Sequence, residues 1–427
     1  MLSVADAARR VIERVPRLAT ELVPLDAAIG RILATAIIAD RPLPGFDNSA
    51  MDGYAVRASE VPGSLVVIGE VAAGAVRTEP TPPGSCVRIF TGAPVPADLD
   101  TVVMQEDVTF PAPDPTAIDH VVASALATHP TFPHAPRGDN VRRAGEDVAV
   151  GDMLLTAGTR ITTWHAGLLA ALGVANVRVA RRPRVAIIAT GDELVTIDTP
   201  PGPGQLVASS SHALLALVHE CGGDPHVLGI APDDIGAITT MIETALGEDR
   251  TRIEDHAGFD VVITTGGVSV GDRDHVHAAL AAAGVTRELY KVAMKPGKPF
   301  AFGTRSVAID ARPTPVFGLP GNPVSTLVAF ELFVRPALLA MQGATVVDRT
   351  RVPVTLATPY RKQAGRAHYL RATVVRDGDR LVAHTHAKQG SAMQSSLVSA
   401  NALVEIPADT TELAVGAHVA AILVEVV

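Results

Sequence analysis

The sequence predicts a multidomain fold that joins an α/β domain with a parallel-rich sheet to an inserted β domain and a C-terminal β barrel. Three observations support this fold class. The chain has 427 residues, more than one hydrophobic core usually organises. Apolar strands alternate with amphipathic helices in residues 182–341. Short β-branched runs separated by proline and glycine fill residues 42–134 and 352–427.

The composition restricts the classes of function that the chain can serve. Hydrophobic residues make up 47% of the sequence and charged residues 19%, which is typical of a globular protein. The net charge of −9 argues against nucleic-acid binding, since phosphates attract summed positive charge. Cys86 and Cys221 are too few for a disulfide framework or a thiolate metal cluster. Residues 1–25 lack a signal-peptide core and no window holds about twenty apolar residues, so we expect a cytoplasmic protein without membrane spans.

The N-terminal region predicts helices on both sides of an inserted β domain. Apolar residues recur at helical spacing in residues 4–14, and a second periodic stretch covers residues 25–38. Residues 163–172 predict another helix, which Gly173 would end. The segment PAPDP at 111–115 predicts a surface loop, because three of its five residues lack a backbone N–H. We expect residues 1–40 and 137–180 to form one domain, with residues 41–136 as the inserted β domain.

Helices and strands alternate after residue 182 in the pattern of a parallel sheet covered on both faces. The last helix of this region starts at Pro323, where Asn322 is a suitable N-cap. The tail shows alternating runs separated by turns, as in a small barrel or sandwich. We expect the α/β domain at 181–343 and the barrel domain at 344–427. The predicted strands are 185–190, 226–230, 260–265, 292–303, 316–319, 352–356, 369–375, 381–385, 402–406 and 418–427, and the predicted helices are 212–221, 235–246, 273–283 and 323–341.

Four loops follow or join strands of the predicted α/β sheet, where such sheets bind their ligands. The glycines of two loops would let backbone N–H groups approach an anion closely. Each loop alone is also compatible with an ordinary turn, but two glycine loops at equivalent positions favour an anion site. The loops are TGDEL at 190–194, TGGVSVGD at 265–272 with Ser269, KVAMKPGKP at 291–299, and GLPGNPVS at 318–325 with Pro320 and Pro323.

Three carboxylates follow strands of this predicted sheet. Glu193, Asp233 and Asp274 would meet at one edge, because parallel strands end on the same side. Two carboxylates about 4 Å apart repel by roughly 4 kcal/mol at an effective dielectric of about 20, so they need a cation or raised pKa values. Oxygen ligands alone favour Mg²⁺.

The loop at 291–299 concentrates positive charge in a net acidic chain. Lys291, Lys295 and Lys298 fall within eight residues and could bind a phosphate. A solvated basic turn is the alternative, but the apolar neighbours Val292 and Phe300 argue against it.

Six motifs in order resemble the signatures of the MoeA family of molybdopterin molybdenumtransferases, which includes the E domain of gephyrin. The resemblance extends over nearly the whole chain. Each motif is modestly specific, but their order makes coincidence implausible. They are FDNSAMDGYA at 46–55, FTGAP at 90–94, TGDEL at 190–194, GGVSVG at 266–271, KPGKP at 295–299 and GLPGNP at 318–323.

The resemblance implies an elongated homodimer whose cleft lies between the molybdopterin-binding α/β domain of one subunit and the inserted β domain of the other. Asp52 and Thr91 would act across the dimer. The resemblance implies catalytic roles for Glu193, Asp233, Asp274, Asp52 and Asp147, with the first three at Mg²⁺, and substrate contacts for Thr91, Ser269, Lys291, Lys295, Lys298, Pro320, Pro323, Arg371 and Ser391.

The implied activity is the insertion of molybdate into adenylylated molybdopterin with release of AMP. The expected partners are the pterin, molybdate and a second copy of the chain, with other molybdenum cofactor biosynthesis proteins as candidates. Two alternatives stay open: adenylylation of the pterin, as in MogA, and a non-catalytic scaffold that binds a peptide. The sequence departs from the family at 208–210 (ASS), which usually ends in Asn, and at 272–275 (DRDH). It does not decide between molybdate and tungstate.

Overall fold

The computed structural model describes residues 1–110, 129–247, 258–267, 275–306 and 313–424. The chain forms two compact units, which we call the large unit and the small unit. The large unit comprises Met1–Thr35, Ala157–Thr162 and Asn176–Val427, and the small unit comprises Ala36–Thr156 and Thr163–Ala175. The predicted domain boundaries remain a prediction, and the predicted loop at 111–115 and the start of the helix predicted at 273–283 lie outside the described residues.

The helices largely follow the predicted periodicity. Ser3 caps the first helix by accepting a hydrogen bond from the Asp6 N–H at 3.1 Å, and Ala7 and Val11 are buried on one face. The α-helices of the described residues are α1 Val4–Arg14, α2 Leu25–Ala28, α3 Thr163–Ala171, α4 Ser209–Glu220, α5 Ile235–Ala245, α6 His275–Ala282 and α7 Pro323–Met341.

The periodic stretch predicted at 25–38 is helical only in α2. Gly30 has a φ of 80°, and Ile32 and Leu33 then form single bridges with Arg160 and Val179. Backbone pairing with later segments therefore replaces helix formation there. The strand Thr20–Pro24 also pairs antiparallel with Asn176–Ala180, so the chain returns to its N-terminal segment as predicted.

A six-stranded sheet forms the centre of the large unit. Its first four strands are parallel to one another, and Ala301–Arg305 runs antiparallel to both of its neighbours. The edge strand Thr286–Tyr290 therefore runs in the same direction as the first four. The connections on either side of Ala301–Arg305 explain its direction. Ten residues separate it from Tyr290 and eight from Thr314, whereas a parallel return needs a crossover of about a dozen residues or more. Thr286–Tyr290 was not predicted as a strand. The spatial order is Asp224–Ala231, Arg184–Thr190, Val261–Thr265, Thr314–Leu319, Ala301–Arg305 and Thr286–Tyr290.

Helices cover both faces of this sheet. Val185 and Ile187 pack with α1, α4 and α7, whereas Ala186 and Ile188 pack with α5 and α6. This alternation is the two-residue period of a strand buried on both sides. Helix α7 contains a π turn at Phe330–Val334 and is apolar enough to cross a membrane, but 83% of its most apolar window is buried, as in the core helix of a globular domain.

Five strands of the C-terminal region close into a barrel, as predicted. Arg351–Leu356 pairs with both Arg380–Thr385 and His418–Leu423, and Ala367–Asp377 pairs with both Arg380–Thr385 and Ala402–Ile406. Pairing of Ala402–Ile406 with His418–Leu423 completes the circle. The remaining strands of the large unit are Leu194–Val195 with Leu206–Val207, Tyr360–Arg361 with Glu412–Leu413, and Met294–Lys295, which pairs with Ala367–Asp377.

The small unit is built on β structure, as predicted for the inserted domain. Its four-stranded sheet has the order Val66–Val71, Ser85–Ile89, Gly53–Val56 and Thr101–Met104. The shorter pairs are Asn48–Ser49 with Val141–Arg142, Gly63–Ser64 with Thr131–Phe132, and Ile37–Ile38 with Met153–Leu155.

Candidate active site

A cavity of about 730 Å³ lies in the large unit beyond the carboxyl ends of the parallel strands, where open α/β sheets bind ligands. We call it the acidic cavity, because Glu193 and Asp233 are the charged residues among its described lining. Pro320 and Pro323 also line it, as do Gly266 and Gly267. The rest of the lining includes Ala189, Thr190, Gly191, Leu194, Leu206, Val207, Ala208, Ser209, Ser210, Ser211, Thr265, Pro299, Gly321, Asn322, Ala392 and Gln394.

Asp192 connects the two loops that carry these carboxylates. Its Oδ1 accepts a hydrogen bond from the Asp233 backbone N–H at 3.0 Å. The Glu193 carboxylate lies over Gly191, where a Cβ would come within 2.6 Å of Glu193 Oε2. The TGDEL segment therefore places one carboxylate in the cavity and uses its neighbour to position the other.

The two glycine loops approach each other too closely for larger residues. Gly266 has a φ of 108°, and a Cβ there would lie 2.2 Å from the Thr190 carbonyl oxygen. A Cβ on Gly321 would lie 3.2 Å from the Gly266 Cα. These contacts explain why positions 266 and 321 carry glycine, and the Gly266 N–H donates to the Leu319 carbonyl at 3.2 Å, which joins the two loops.

The predicted metal site is only partly described. Glu193 and Asp233 line one cavity, whereas Asp274 and Ser269 lie outside the described residues. Within the described ranges, no group of three or more His, Cys, Asp or Glu side chains could hold a metal ion. Two carboxylates are still compatible with Mg²⁺, which commonly uses one or two protein carboxylates together with water and substrate phosphates.

A second cavity of the large unit has the opposite charge. It measures about 750 Å³, and its described lining contains Lys295, Lys298, Arg366 and Lys388 but no acidic residue. We call it the basic cavity. Ser391 also lines it, and its role as a substrate contact remains a prediction. The lining is completed by Met294, Pro296, Gly297, Pro299, Asn322, Ser325, Ala387, Gln389, Gly390 and Met393. Pro299 and Asn322 border both cavities, so the two are adjacent.

The three predicted lysines do not share one environment. Lys295 and Lys298 line the basic cavity, but Lys291 lines neither cavity. The backbone of Lys291 has a φ of 68°, and its Nζ lies 4.6 Å from the centre of the Tyr290 ring. Lys295 is paired in register with His368, whose pKa is lowered to about 4 by burial and by the nearby positive charges, with Lys295 foremost among them.

Arg371 lies behind the basic cavity rather than in its lining. Its side chain is 1% exposed, and burial lowers its pKa. Its guanidinium donates hydrogen bonds to Ser396 Oγ and to the carbonyls of Lys388 and Gly390, each at 3.0 Å. Arg371 therefore holds the loop that presents Lys388 and Ser391. Sequence reasoning did not single out Arg366, the arginine that does line this cavity.

The small unit contains the other predicted acidic residues. Thr91 donates two hydrogen bonds to Asp52 Oδ1, from its backbone N–H at 2.8 Å and its hydroxyl at 2.7 Å, and these bonds lower the pKa of Asp52. Asp52 and Thr91 are therefore bonded to each other within this unit, and their action across a dimer remains a prediction. Asp147 is exposed and held through its backbone N–H, which donates to the Leu43 carbonyl.

Neither cysteine has the environment of a nucleophile. Cys86 and Cys221 are buried and free, and burial raises the pKa of each thiol to about 12. Both therefore remain protonated at neutral pH.

Three family models together match most of the sequence in the order that the fold shows. The model described as MoeA N-terminal region (domain I and II) matches residues 2–173, and the probable molybdopterin binding domain matches residues 186–340. The MoeA C-terminal region (domain IV) matches residues 353–424. The chain belongs to the MoeA family. The predicted family is thus confirmed, together with its combination of an α/β domain and a C-terminal barrel.

Named members of the MoeA family are similar to this chain over most of its length. A molybdopterin molybdenumtransferase of Haemophilus influenzae is 35% identical over 97% of both chains. One from Nostoc is 41% identical over 80% of this chain and 75% of its own. The crystal structure of the molybdopterin biosynthesis moeA protein from Pyrococcus horikoshii is 29% identical and has a TM-score of 0.80, covering 99% of this chain and 100% of that chain.

Proposed function

We propose that this chain is a molybdopterin molybdenumtransferase that inserts molybdate into adenylylated molybdopterin and releases AMP. The observation that carries the proposal is the pair of adjacent cavities with opposite charge, which share Pro299 and Asn322. The names of the MoeA relatives support the same activity. A reaction between two anions needs such an arrangement, because their mutual repulsion has to be compensated at the point where they meet.

The basic cavity is suited to the molybdate dianion. Lys295, Lys298, Arg366 and Lys388 supply cationic hydrogen-bond donors, and no described acidic residue of the lining opposes them. The Ser391 hydroxyl adds a neutral donor at the same wall. Arg371 acts indirectly, because two of its hydrogen bonds hold the carbonyls of Lys388 and Gly390 and the third holds Ser396 Oγ.

The acidic cavity is suited to the phosphates of the adenylylated pterin together with a divalent cation. We propose that Glu193 and Asp233 hold Mg²⁺, with Asp274 as a third ligand, and that the Gly266–Gly267 loop contacts the phosphates together with Ser269. When bound, Mg²⁺ would neutralise phosphate charge at the bond that is broken. The carboxylates themselves orient the cation, while Asp192 fixes the separation of their two loops.

We further propose a cytoplasmic homodimer in which Asp52, Thr91 and Asp147 of a second copy contribute to each site. The hydrogen-bonded pair of Asp52 and Thr91 supports this role, because a carboxylate held by two donors stays ionised and in a fixed orientation. We also propose Lys291, which lines neither of the two cavities, as a phosphate contact of the pterin. Other molybdenum cofactor biosynthesis proteins are candidate partners for delivery of the pterin.

The direct test is reconstitution with the purified chain, adenylylated molybdopterin, molybdate and Mg²⁺. We expect release of AMP that depends on molybdate and on the metal, and a cofactor that activates a molybdenum-free apoenzyme. Asp233→Ala should abolish the release, whereas Asp26→Ala, a change on α2, serves as the control for loss of a surface carboxylate. Consumption of ATP with adenylylation of free molybdopterin would instead contradict the proposal.

A further inference from the structure

We propose that the N-terminus of α4 and the hydroxyl of Ser211 bind a phosphoryl group within the acidic cavity. This inference rests on the proposed function, which assigns the phosphates of the adenylylated substrate to that cavity. It adds a binding residue that none of the six sequence motifs contains.

Helix α4 begins in the wall of the acidic cavity. Its first helical residue is Ser209, its N-cap is Ala208, and no side-chain hydrogen bond caps it. Residues 208–211 all line the cavity. The first N–H groups of a helix have no partner inside the helix and carry partial positive charge. The N–H groups of Ala208 and Ser211 already donate to the Val195 and Ala208 carbonyls, so the donors that the start of this twelve-residue helix presents to the cavity are those of Ser209 and Ser210.

Unpartnered hydroxyls provide an independent observation. Ser211 is 3% exposed and lines the cavity, but its Oγ has no hydrogen-bond partner among the described residues. The same holds for Thr190 Oγ1, in a residue that is 2% exposed. Ser209 differs, because its Oγ accepts a hydrogen bond from Gln394 Nε2 at 2.8 Å. Since buried polar groups are nearly always paired, two orphaned hydroxyls around one cavity point to a ligand that pairs them.

The donors at this wall favour a phosphoryl oxygen as that ligand. Helix N–H groups can only donate, and a serine hydroxyl turns toward an acceptor by rotation about one bond. Glu193 and Asp233 line the same cavity and would repel a bare anion. A phosphoryl group that shares a divalent cation with these carboxylates removes the conflict, as in Mg²⁺ sites built from carboxylates and substrate phosphates. In this arrangement the two carboxylates bind the cation, and the start of α4 with Ser211 binds the phosphoryl group.

The test is calorimetric titration of the full-length chain with AMP in the presence of Mg²⁺. Ser211→Ala should weaken AMP binding about 10- to 150-fold, the range for loss of a hydrogen bond to a charged group. Adenosine, which lacks the phosphoryl group, should bind wild type and variant alike. Thr190→Val should act in the same direction. Ser85→Ala, which removes a buried hydroxyl from the small unit, is the matched control and should leave AMP binding unchanged.

Thermal unfolding of each variant separates binding from folding. Removal of an unpartnered hydroxyl should leave the melting temperature of Ser211→Ala at the wild-type value or above it. The inference is overturned if Ser211→Ala binds AMP as wild type does, if adenosine binding falls equally, or if wild type binds no AMP. Molybdate-dependent AMP release by wild type is measured separately. Its absence, with AMP binding intact and sensitive to Ser211→Ala, would reject the proposed reaction but not the phosphoryl subsite.

Discussion

The two arginines near the basic cavity should respond differently to substitution. Arg366 lines the cavity, whereas Arg371 is 1% exposed and makes three hydrogen bonds at 3.0 Å. Arg366→Ala should weaken the free energy of molybdate binding by about 1.5–3 kcal/mol, because it removes a charged donor. This corresponds to a Kd that is roughly 10- to 150-fold higher. The variant should unfold at the wild-type temperature, since it leaves the hydrogen bonds of Arg371 in place.

Arg371→Met should produce the opposite pattern. It leaves the carbonyls of Lys388 and Gly390 and the Ser396 hydroxyl without a donor, so we expect a loss of about 2–5 kcal/mol in unfolding free energy. Any loss of molybdate binding should be indirect, because it would come from displacement of the loop that carries Lys388. Equilibrium dialysis with molybdate and thermal unfolding measure the two effects. Arg361→Ala, an exposed arginine of the barrel region paired with Glu412, is the control. The assignment of Arg366 to binding and Arg371 to stability would be refuted by the reverse result. In that case Arg371→Met would lose molybdate binding at wild-type stability, and Arg366→Ala would bind molybdate as wild type does.

Three further predictions concern a glycine of the cavity loops, a buried histidine of the barrel and the proposed dimer. Gly266→Ala should lower the melting temperature and the turnover together, because its Cβ would lie 2.2 Å from the Thr190 carbonyl; wild-type values for both would contradict this. The pKa of His368 is about 4, below its ordinary value, so its contribution to stability is present above about pH 6.5 and is lost as the pH falls toward 4. His368→Gln should therefore flatten the loss of stability in that window, as measured by denaturation at several pH values. Asp52→Ala and Asp233→Ala should each be inactive, and mixed dimers should regain up to roughly a quarter of the sites if one subunit completes the other's site; no recovery after verified exchange would reject sharing between subunits.

Local signals in the sequence were sufficient where one segment determines its own structure. Helix α1 matches its predicted bounds, because its signals are all local. Its eleven residues carry an apolar stripe, and the serine that caps it directly precedes them. The stretch at 25–38 shows the limit of periodicity. Its apolar spacing suited a helix, but Ile32 and Leu33 pair with segments more than 120 residues away. Such long-range pairing overrides a local preference and cannot be read from the segment itself.

The candidate site also combines features that the sequence predicts with features that depend on contacts in the folded chain. Topology alone predicted that Glu193 and Asp233 would lie together, because both follow parallel strands of one sheet, and they do line one cavity. The position of Lys291 depended on side-chain contacts instead. Its chain turns through a positive φ and its ammonium lies against Tyr290, whereas Lys295 and Lys298 line the basic cavity. Spacing in sequence does not determine which members of a charged run share a cavity.

The arginines show why burial is needed to assign a role. Arg366 precedes the strand Ala367–Asp377, and Arg371 lies five positions further on within it. In an extended chain, an odd separation places two side chains on opposite faces. Arg366 lies in a bend just before the strand, so this alternation does not fix its direction, and the sequence alone leaves open which arginine faces a given cavity. Burial decides it, because an arginine in a lining must reach solvent or ligand, and only Arg366 borders the basic cavity. The loop from Lys388 to Gly390 then supplies the acceptors that make a buried guanidinium at Arg371 stable.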